Sequence, residues 1–188
     1  MSRICAYSVT RHKKEVGTMT QQIENFIHSI FNTYNITIPY EIEHHTGSPN
    51  QSYAAFNAEK NCIYFRLIPL EKAYYGLKKD NITFDLPTFV EIVIFHEVGH
   101  ALDQKTPFFH EEKQKLLNDI HSIKSEHEAD HFIEKLGNIM FESEKNAWDY
   151  ADTHIQHTDC YQKYKEICIY GYAHYLENLR TLVLKHIA

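Results

Sequence analysis

The sequence has no uninterrupted apolar run of about 18 residues, the length that a membrane-spanning helix requires. Its start, from Met1 to Tyr7, lacks the basic residues and the apolar stretch of a secretory signal. The four cysteines contain no CxxC pair, which excludes a zinc ribbon, and a disulfide framework is not expected in a chain of 188 residues. We therefore expect a cytoplasmic protein with no segment in a membrane.

An excess of basic residues is also missing. The chain carries 25 Asp and Glu against 19 Lys and Arg, whereas a nucleic-acid-binding domain requires a basic face. Hydrophobic residues (43%) and charged residues (23%) occur in the proportions of an ordinary globular protein. Since no internal repeat or linker is evident, we expect residues 1–188 to form a single domain, with one part over residues 18–105 and a helical part over residues 106–188.

The hydrophobic pattern of the first half of the chain predicts a helix followed by a small sheet. Apolar residues recur at helical spacing over residues 18–34, with Thr20 at the N-cap. Alternating apolar residues predict a strand over residues 36–42. Two further strands, over residues 52–57 and 61–68, are expected to form a hairpin and to complete a mostly antiparallel sheet.

The pattern becomes helical from Pro87, a residue that suits the first position of a helix. Residues from there to about Gln104 leave almost no polar face, which predicts a central, buried helix. Further helical regions are expected over residues 110–158 and 160–187, and residues 69–82 are typical of a short helix or a lid. The expected fold is therefore α+β, with a helical C-terminal half.

A cluster of ionisable residues lies inside this apolar helix, in the order His96-Glu97-Val98-Gly99-His100. Two histidines four residues apart lie on one helical face, so both imidazoles can reach one metal ion. Glu97 lies about 100° further round the helix axis, where its carboxylate can take a proton from a water on that ion. Zinc lowers the pKa of such a water towards 7, so the pattern predicts metal-assisted hydrolysis.

Chance is the competing interpretation of this pattern, because the chain contains 14 histidines. However, the three ionisable groups lie on a helix that otherwise consists of Ile, Val, Phe, Ala and Leu. Burying these groups without partners would cost on the order of several kcal/mol, and a metal ion removes that cost. An ion-pair cluster would need cationic partners that this helix lacks. The setting therefore favours a metal site.

The segment from Val93 to Asp103 resembles the active-site helix of the zincin metallopeptidases. The order of a helix, a small sheet with a hairpin and then this helix is similar to the ImmA/IrrE-type branch of those enzymes, over about residues 20–155. The residue six positions after His100 is Thr106 rather than a third histidine, which disfavours a metzincin. The resemblance implies a zincin-like fold in which the small sheet packs on the HExxH helix, and one bound zinc ion.

The resemblance also implies a glutamate from a later helix as the third zinc ligand, and two glutamates match it. Glu126 begins the segment EHEAD, which resembles the ExxA(D/N) signature of several such peptidases. Glu144 begins the segment EKNAW, which resembles an ExxAW variant in related bacterial and phage sequences. The two glutamates would lie about 27 Å apart in one continuous helix, so they cannot share one ion.

Two features of the sequence favour Glu144. Ser125 and Glu128 have the spacing of a capping box, so a new helix is expected to begin there, and the chain needs length to return to the metal. Glu144 also lies on a denser apolar stripe than Glu126, whose neighbours are polar. Glu144 is therefore the predicted ligand and Glu126 the alternative. If Glu126 binds the ion, Asp130 is expected to support it.

The sequence leaves open which residues support the ligand histidines and which residue stabilises the oxyanion. Asp103 lies on the face of His96 and His100, where it is expected to accept the second ring N–H of a ligand histidine, although a polar residue at a helix end gives the same pattern. Zincin families commonly stabilise the oxyanion with a His or Tyr. The residues eligible by type are Tyr75, Tyr150, His154, His157, Tyr170, Tyr172 and His174, and the sequence does not choose among them.

The same resemblance implies an edge strand near the metal that holds an extended substrate by main-chain pairing. The hairpin that ends in residues 61–68 is the candidate for that edge. Its aromatic side chains either line substrate pockets or pack the sheet in the ordinary way. They are Tyr53, Phe56, Tyr64 and Phe65.

The sequence thus predicts a zinc metallopeptidase of the gluzincin type, in which His96, His100 and a glutamate hold one zinc ion. Glu97 acts as general base on a metal-activated water, and the substrate is a peptide bond in a protein or peptide. The alternative is a zinc-containing regulatory or protein-binding module without turnover. An open coordination position would favour the enzyme, and four protein ligands would favour the module. A metallohydrolase with a non-peptide substrate is a third, weaker interpretation.

Overall fold

The structure, a computed structural model, describes residues 4–44 and 52–187, with side chains from residue 19 onward. The chain divides into two compact units, one of Met1–Asn57 and Cys62–Ile94 and one of Ala58–Asn61 and Phe95–Ala188. None of the helices within the described ranges is long and apolar enough to cross a membrane. The described α-helices and β-strands are α1 (Ile4–Thr33), β1 (Tyr40–Glu43), β2 (Ala54–Asn57), β3 (Cys62–Arg66), α2 (Leu67–Leu77), α3 (Leu86–Leu102), α4 (Thr106–Asp119), α5 (Glu126–Asp152) and α6 (Asp159–Ile187).

The sheet of the first unit is mixed, so the prediction of a mostly antiparallel sheet is wrong. Its strand order is β1-β3-β2, in which β3 pairs parallel with β1 and antiparallel with β2. β2 and β3 form the predicted hairpin, but β1 lies on the other side of β3, where it runs in the same direction. β3 is consequently a central strand rather than an edge, and Tyr64 and Phe65 are buried in the core of the sheet.

Asparagine residues in the left-handed conformation lie at the ends of several elements in the first unit. Asn35 follows the last turn of α1, Asn61 closes the hairpin, and Asn81 follows the short 3-10 turn after α2, all with positive φ. Asparagine tolerates this conformation better than most side chains, so each one ends an element at low cost. α1 begins at Ile4, so Thr20 lies inside this helix and is not the predicted N-cap.

The segment predicted as a short helix or a lid is helix α2, which directly follows β3. α3 begins at Leu86, so Pro87 is its second residue rather than its first. Asp85 caps this helix, because its Oδ1 accepts a hydrogen bond of 2.8 Å from the backbone N–H of Thr88. Hydrogen bonds from Thr88 also lower the pKa of Asp85. The cap and the apolar residues after it account for a stable, buried helix, as predicted.

In the second unit α5 packs against α4 and α6. The predicted capping box starts α5, because Ser125 Oγ accepts from the backbone N–H of Glu128 at 3.2 Å. The Glu128 carboxylate accepts from the backbone N–H of Lys124 at 2.7 Å. The second helical region is therefore two helices, α4 and α5. The buried core shared by α5 and α6 includes Ala129, Phe132, Leu136, Met140, Leu176 and Val183.

The C-terminal half of α5 is held to the start of α6 by a second set of contacts. Trp148, the one tryptophan of the chain, is 2% exposed and packs edge-on against Tyr161 and Tyr164. Asp152 accepts hydrogen bonds from Tyr161 Oη at 2.6 Å and from Lys165 Nζ at 2.8 Å. Although partial burial alone would raise the pKa of Asp152, these two hydrogen bonds lower it. These contacts stabilise the part of α5 that follows Glu144.

Candidate metal centre

The two motif histidines lie on the part of α3 that belongs to the second unit. The predicted spacing places them one turn apart, with their ring centroids 4.8 Å apart and the rings nearly perpendicular. Their side chains are only 12% and 13% exposed. His96 and His100 are therefore two adjacent, largely buried imidazoles on one helical face.

Glu144 of α5 places its carboxylate across both imidazoles. Its Oε2 lies 3.2 Å from His96 Nε2, and its Oε1 lies 3.4 Å from His100 Nε2. Among the described residues, these three side chains form a group whose ligand atoms all lie within 4.8 Å of one another. The structure therefore brings together His96, His100 and Glu144, the ligand set preferred from the sequence.

The alternative ligand, Glu126, has a different environment. Its side chain is 71% exposed and forms an ion pair of 3.1 Å with Arg180 Nη2. The Nε atom of the same arginine lies 2.6 Å from Asp130. Glu126 and Asp130 thus bind a cation of α6 at the surface, and the structure does not bring them to the two histidines.

The geometry of the buried group fits a divalent metal ion. In a tetrahedral zinc site with ligands at 2.0–2.1 Å, neighbouring ligand atoms are about 3.3 Å apart. Two separations in the group are close to this value, at 3.2 Å from Oε2 to His96 Nε2 and 3.4 Å from Oε1 to His100 Nε2, and all the ligand atoms lie within 4.8 Å of one another. Two imidazoles and one carboxylate are also a common donor set for zinc. The group is therefore suited to hold one such ion.

Burial and hydrogen bonding shape the protonation of this group. Burial alone would raise the pKa of Glu144, but its contacts with His100 and His96, at 3.4 and 3.2 Å, hold that pKa far below its ordinary value. Burial alone would lower the pKa of His100, yet the close carboxylate of Glu144 and the charge of Glu97 raise it. Glu144 is consequently an anion throughout the physiological pH range, which is the form that binds a metal.

A close approach of α3 and α5 sets the distance between the ligands. A Cβ atom built on Gly99 would lie 2.6 Å from the backbone oxygen of Ala147 and 2.8 Å from its Cα. Only glycine fits there, because a side chain would meet backbone rather than a movable group. Gly99 lies between the two ligand histidines and Ala147 follows Glu144 by three residues. This contact therefore brings the carboxylate within reach of both rings.

The side chain predicted to support a ligand histidine does not do so. Asp103 follows the last residue of α3 and accepts hydrogen bonds from the backbone N–H of Lys105 at 2.9 Å and from Asn146 Nδ2 at 2.8 Å. Asp103 follows the end of α3, where the chain leaves the helical face of His96 and His100. Its carboxylate therefore connects the end of α3 to Asn146 on α5. Ser143 Oγ, instead, lies 3.4 Å from His100 Nδ1. Of the two interpretations of Asp103, the structure agrees with a polar residue at the end of the helix and places its hydrogen bonds on Lys105 and Asn146 rather than on a histidine.

Two further side chains, Glu97 and Tyr172, interact with the group of His96, His100 and Glu144. Glu97 is 7% exposed, and its charge contributes to raising the pKa values of both His100 and Tyr172. Burial of Tyr172 on α6, together with the charge and proximity of Glu144, raises the pKa of its hydroxyl. Of the seven residues eligible as oxyanion donors, Tyr172 thus interacts with the ligand group.

Other eligible residues are engaged elsewhere. His154 stacks on Phe95, with ring centroids 4.3 Å apart, and His157 Nε2 lies 2.9 Å from the backbone oxygen of Asp152. Tyr170 is 76% exposed. These positions are consistent with structural roles for the two histidines and a surface position for Tyr170.

Three residues of the centre were missed from the sequence: Gly99 as a contact residue, Ser143, and Trp148 as a neighbour of His96. The ring centroids of Trp148 and His96 are 4.3 Å apart. The available signal was the position of Ser143 and Trp148 close to Glu144 in the chain. That signal has no meaning until the register between α3 and α5 is known.

Comparison of the chain with profiles of known protein families, with curated proteins and with solved structures finds no match. The function must therefore be inferred from the geometry of the centre and from the sequence motif.

Proposed function

We propose that this protein is a zinc-dependent endopeptidase of the gluzincin type that hydrolyses a peptide bond in a protein or peptide of the cytoplasm. The observation that carries the proposal is the convergence of His96 Nε2, His100 Nε2 and both Glu144 oxygens in a largely buried group. Glu97 follows the first of these ligands directly in the chain. The zincin-like arrangement of the whole chain is part of the same proposal.

His96, His100 and Glu144 would hold the zinc ion, which when bound supplies Lewis acidity towards a carbonyl group and towards water. Glu144 contributes a full negative charge, because a carboxylate is ionised at neutral pH. The two imidazoles direct their Nε2 atoms at that carboxylate. A set of three protein ligands would be typical of catalytic rather than structural zinc sites.

Glu97 is the general base of the proposed reaction. Its carboxylate takes a proton from the attacking water and later gives that proton to the leaving amine. The residue is buried, and its charge acts on His100 and Tyr172, which supports a position beside the ligand group. Glu97 is not one of the three grouped ligands, and we assign it proton transfer rather than metal binding.

Tyr172 is the donor that we assign to the developing negative charge on the substrate oxygen. A tyrosine hydroxyl is neutral at physiological pH, and burial raises the pKa of Tyr172 further, so the hydroxyl can donate a hydrogen bond. The residue lies on α6, whereas the metal ligands come from α3 and α5. The three helices would thus each contribute to one reaction centre.

The test of this proposal is the variant Glu97→Gln in zinc-loaded protein, with a library of unstructured peptides analysed by mass spectrometry. We expect the wild type to cleave peptides and the variant to retain zinc while turnover falls by about 10²–10⁴-fold, since only proton transfer is lost. Glu134→Gln, at an exposed position of α5, is the matched control and should leave turnover unchanged. Normal cleavage by Glu97→Gln would contradict the mechanism.

The second candidate function is a zinc-containing binding module without turnover. It is favoured by exposed apolar side chains on α6, of which Tyr170, Tyr175 and Leu182 are the largest examples. In that case the wild-type protein would bind zinc with all three ligands and yet cleave no peptide in the library, whatever residue occupies position 97.

A further inference from the structure

The two ligand histidines differ in what their second ring nitrogen contacts. His100 Nδ1 lies 3.4 Å from Ser143 Oγ. His96 Nδ1 is buried and has no hydrogen-bond partner in the described part of the chain. The ring of His96 instead packs against Trp148. Packing therefore positions one imidazole, whereas a side-chain hydroxyl is available to position the other.

The second nitrogen matters because a neutral imidazole carries its proton on only one of its two nitrogens. An acceptor at Nδ1 keeps the proton there and leaves the lone pair of Nε2 free for a metal. Ser143 Oγ can act as this acceptor while its own proton points elsewhere. The next residue, Glu144, contacts Nε2 of the same ring at 3.4 Å. Two consecutive residues of α5 thus contact both nitrogens of His100.

We propose that Ser143 is a positioning residue that fixes His100 in the tautomer with its proton on Nδ1, so that Nε2 faces the metal centre. This inference rests on the proposed function, since it assumes that His100 binds zinc. Both Asp103 oxygens are engaged by Lys105 and Asn146, so Ser143 is the side chain placed for this role. Serine in a helix interior commonly bonds to backbone of its own helix, and here the hydroxyl faces another helix instead.

The experiment measures zinc affinity by competition with a chromophoric chelator, using the full chain. Ser143→Ala is expected to bind zinc about 10–100-fold more weakly, the usual effect of removing a hydrogen bond to a ligand histidine. Alanine has the higher helix propensity, so this loss cannot come from a weaker α5. Ser143→Thr keeps the hydroxyl and should recover most of the affinity. Ser122→Ala, which removes an exposed hydroxyl bonded to Asp119, should have no effect.

A spectroscopic measurement separates positioning from a general structural effect. In zinc-loaded wild type, ¹⁵N NMR of the imidazoles should show a slowly exchanging Nδ1–H on His100, and this signal should be lost in Ser143→Ala. Affinity and signal both unchanged in Ser143→Ala would overturn the role of Ser143. If Glu144→Ala also bound zinc like the wild type, the metal centre itself would be refuted, so the two failures are distinguishable.

Discussion

The close approach between Gly99 and Ala147 gives the sharpest prediction for this protein. In Gly99→Ala the new methyl carbon would lie 2.6 Å from a backbone oxygen of α5, whereas an ordinary contact begins at 3.4 Å. Neither backbone can rotate away, so the two helices must separate by about 0.8 Å, the difference between those distances. Glu144 lies one turn from this contact and would move with α5. The substitution should therefore disturb both packing and metal binding.

The expected magnitudes follow from these distances. Alanine gains up to about 1 kcal/mol of helix propensity over glycine, but overpacking a core costs about 1–3 kcal/mol, and a clash between backbones belongs at the upper end. We expect a net loss of about 1–2 kcal/mol in the free energy of unfolding. Metal ligands tolerate displacements of only about 0.2 Å, so zinc affinity should fall at least about tenfold.

The assay combines urea unfolding of the zinc-free protein with a zinc competition titration. Gly171→Ala in α6 is the matched control, because its Cβ atom would meet nothing within 4 Å. That variant should be about 0.5–1 kcal/mol more stable than the wild type and should bind zinc normally. If Gly99→Ala behaves like Gly171→Ala in both measurements, the contact with Ala147 does not set the geometry of the centre.

The other predictions concern the third zinc ligand, the fluorescence of Trp148, the role of Tyr172 as oxyanion donor and the pH dependence of stability. Glu144→Ala should abolish zinc binding in elemental analysis, whereas Glu126→Ala should retain one zinc per chain; the opposite pattern would refute the ligand assignment. Zinc should change the fluorescence of Trp148 excited at 295 nm, because the indole packs on His96; a titration without a saturable change would contradict that contact. Tyr172→Phe should lower turnover by about 10²–10³-fold with little loss of zinc, and normal turnover in a peptide-cleavage assay would exclude this donor. The pKa of Asp152 is lowered on folding, so its contribution to stability is complete above its unfolded value of about 3.9 and is lost as the pH falls through the folded value. Asp152→Asn should therefore lower stability most at pH 7 and progressively less as the pH falls below about 3.9, and a loss that does not change with pH would refute this reasoning.

The parts of the molecule that the sequence predicted well depend on local patterns. The HExxH spacing requires only helical periodicity to bring His96 and His100 together, and that periodicity is strong in a helix of apolar residues. The start of α5 was predictable because a capping box is a contact between residues three positions apart. The choice of Glu144 over Glu126 used an apolar stripe, which reports burial of a helical face. The first two interactions lie within a few residues, and for Glu144 the local signal reported which face of α5 is buried.

Apart from helix starts, where Thr20 lies inside α1, the errors concern contacts between residues far apart in the chain. The parallel pairing of β1 with β3 follows from where the chain crosses the sheet, and alternation of apolar residues contains no information on strand direction. Asp103 shares a helical face with His100, so the sequence left open whether it supports a ligand histidine or is a polar residue at the helix end. The helix ends one residue before it, so its carboxylate turns towards Asn146 instead. No local pattern distinguishes these outcomes.

A short segment of α5, residues 143–148, accounts for most of the contacts that form the centre. Its partners on α3 and just after it are His100 for Ser143, both histidines for Glu144, Asp103 for Asn146, Gly99 for Ala147 and His96 for Trp148. An ion held by both helices would bind the folded chain and not the unfolded one, and so would stabilise the fold by about 4 kcal/mol at a concentration a thousandfold above its Kd. It follows that a change at a ligand should reduce this zinc-dependent stabilisation. A change in the core shared by α5 and α6 should instead lower stability with and without zinc by similar amounts.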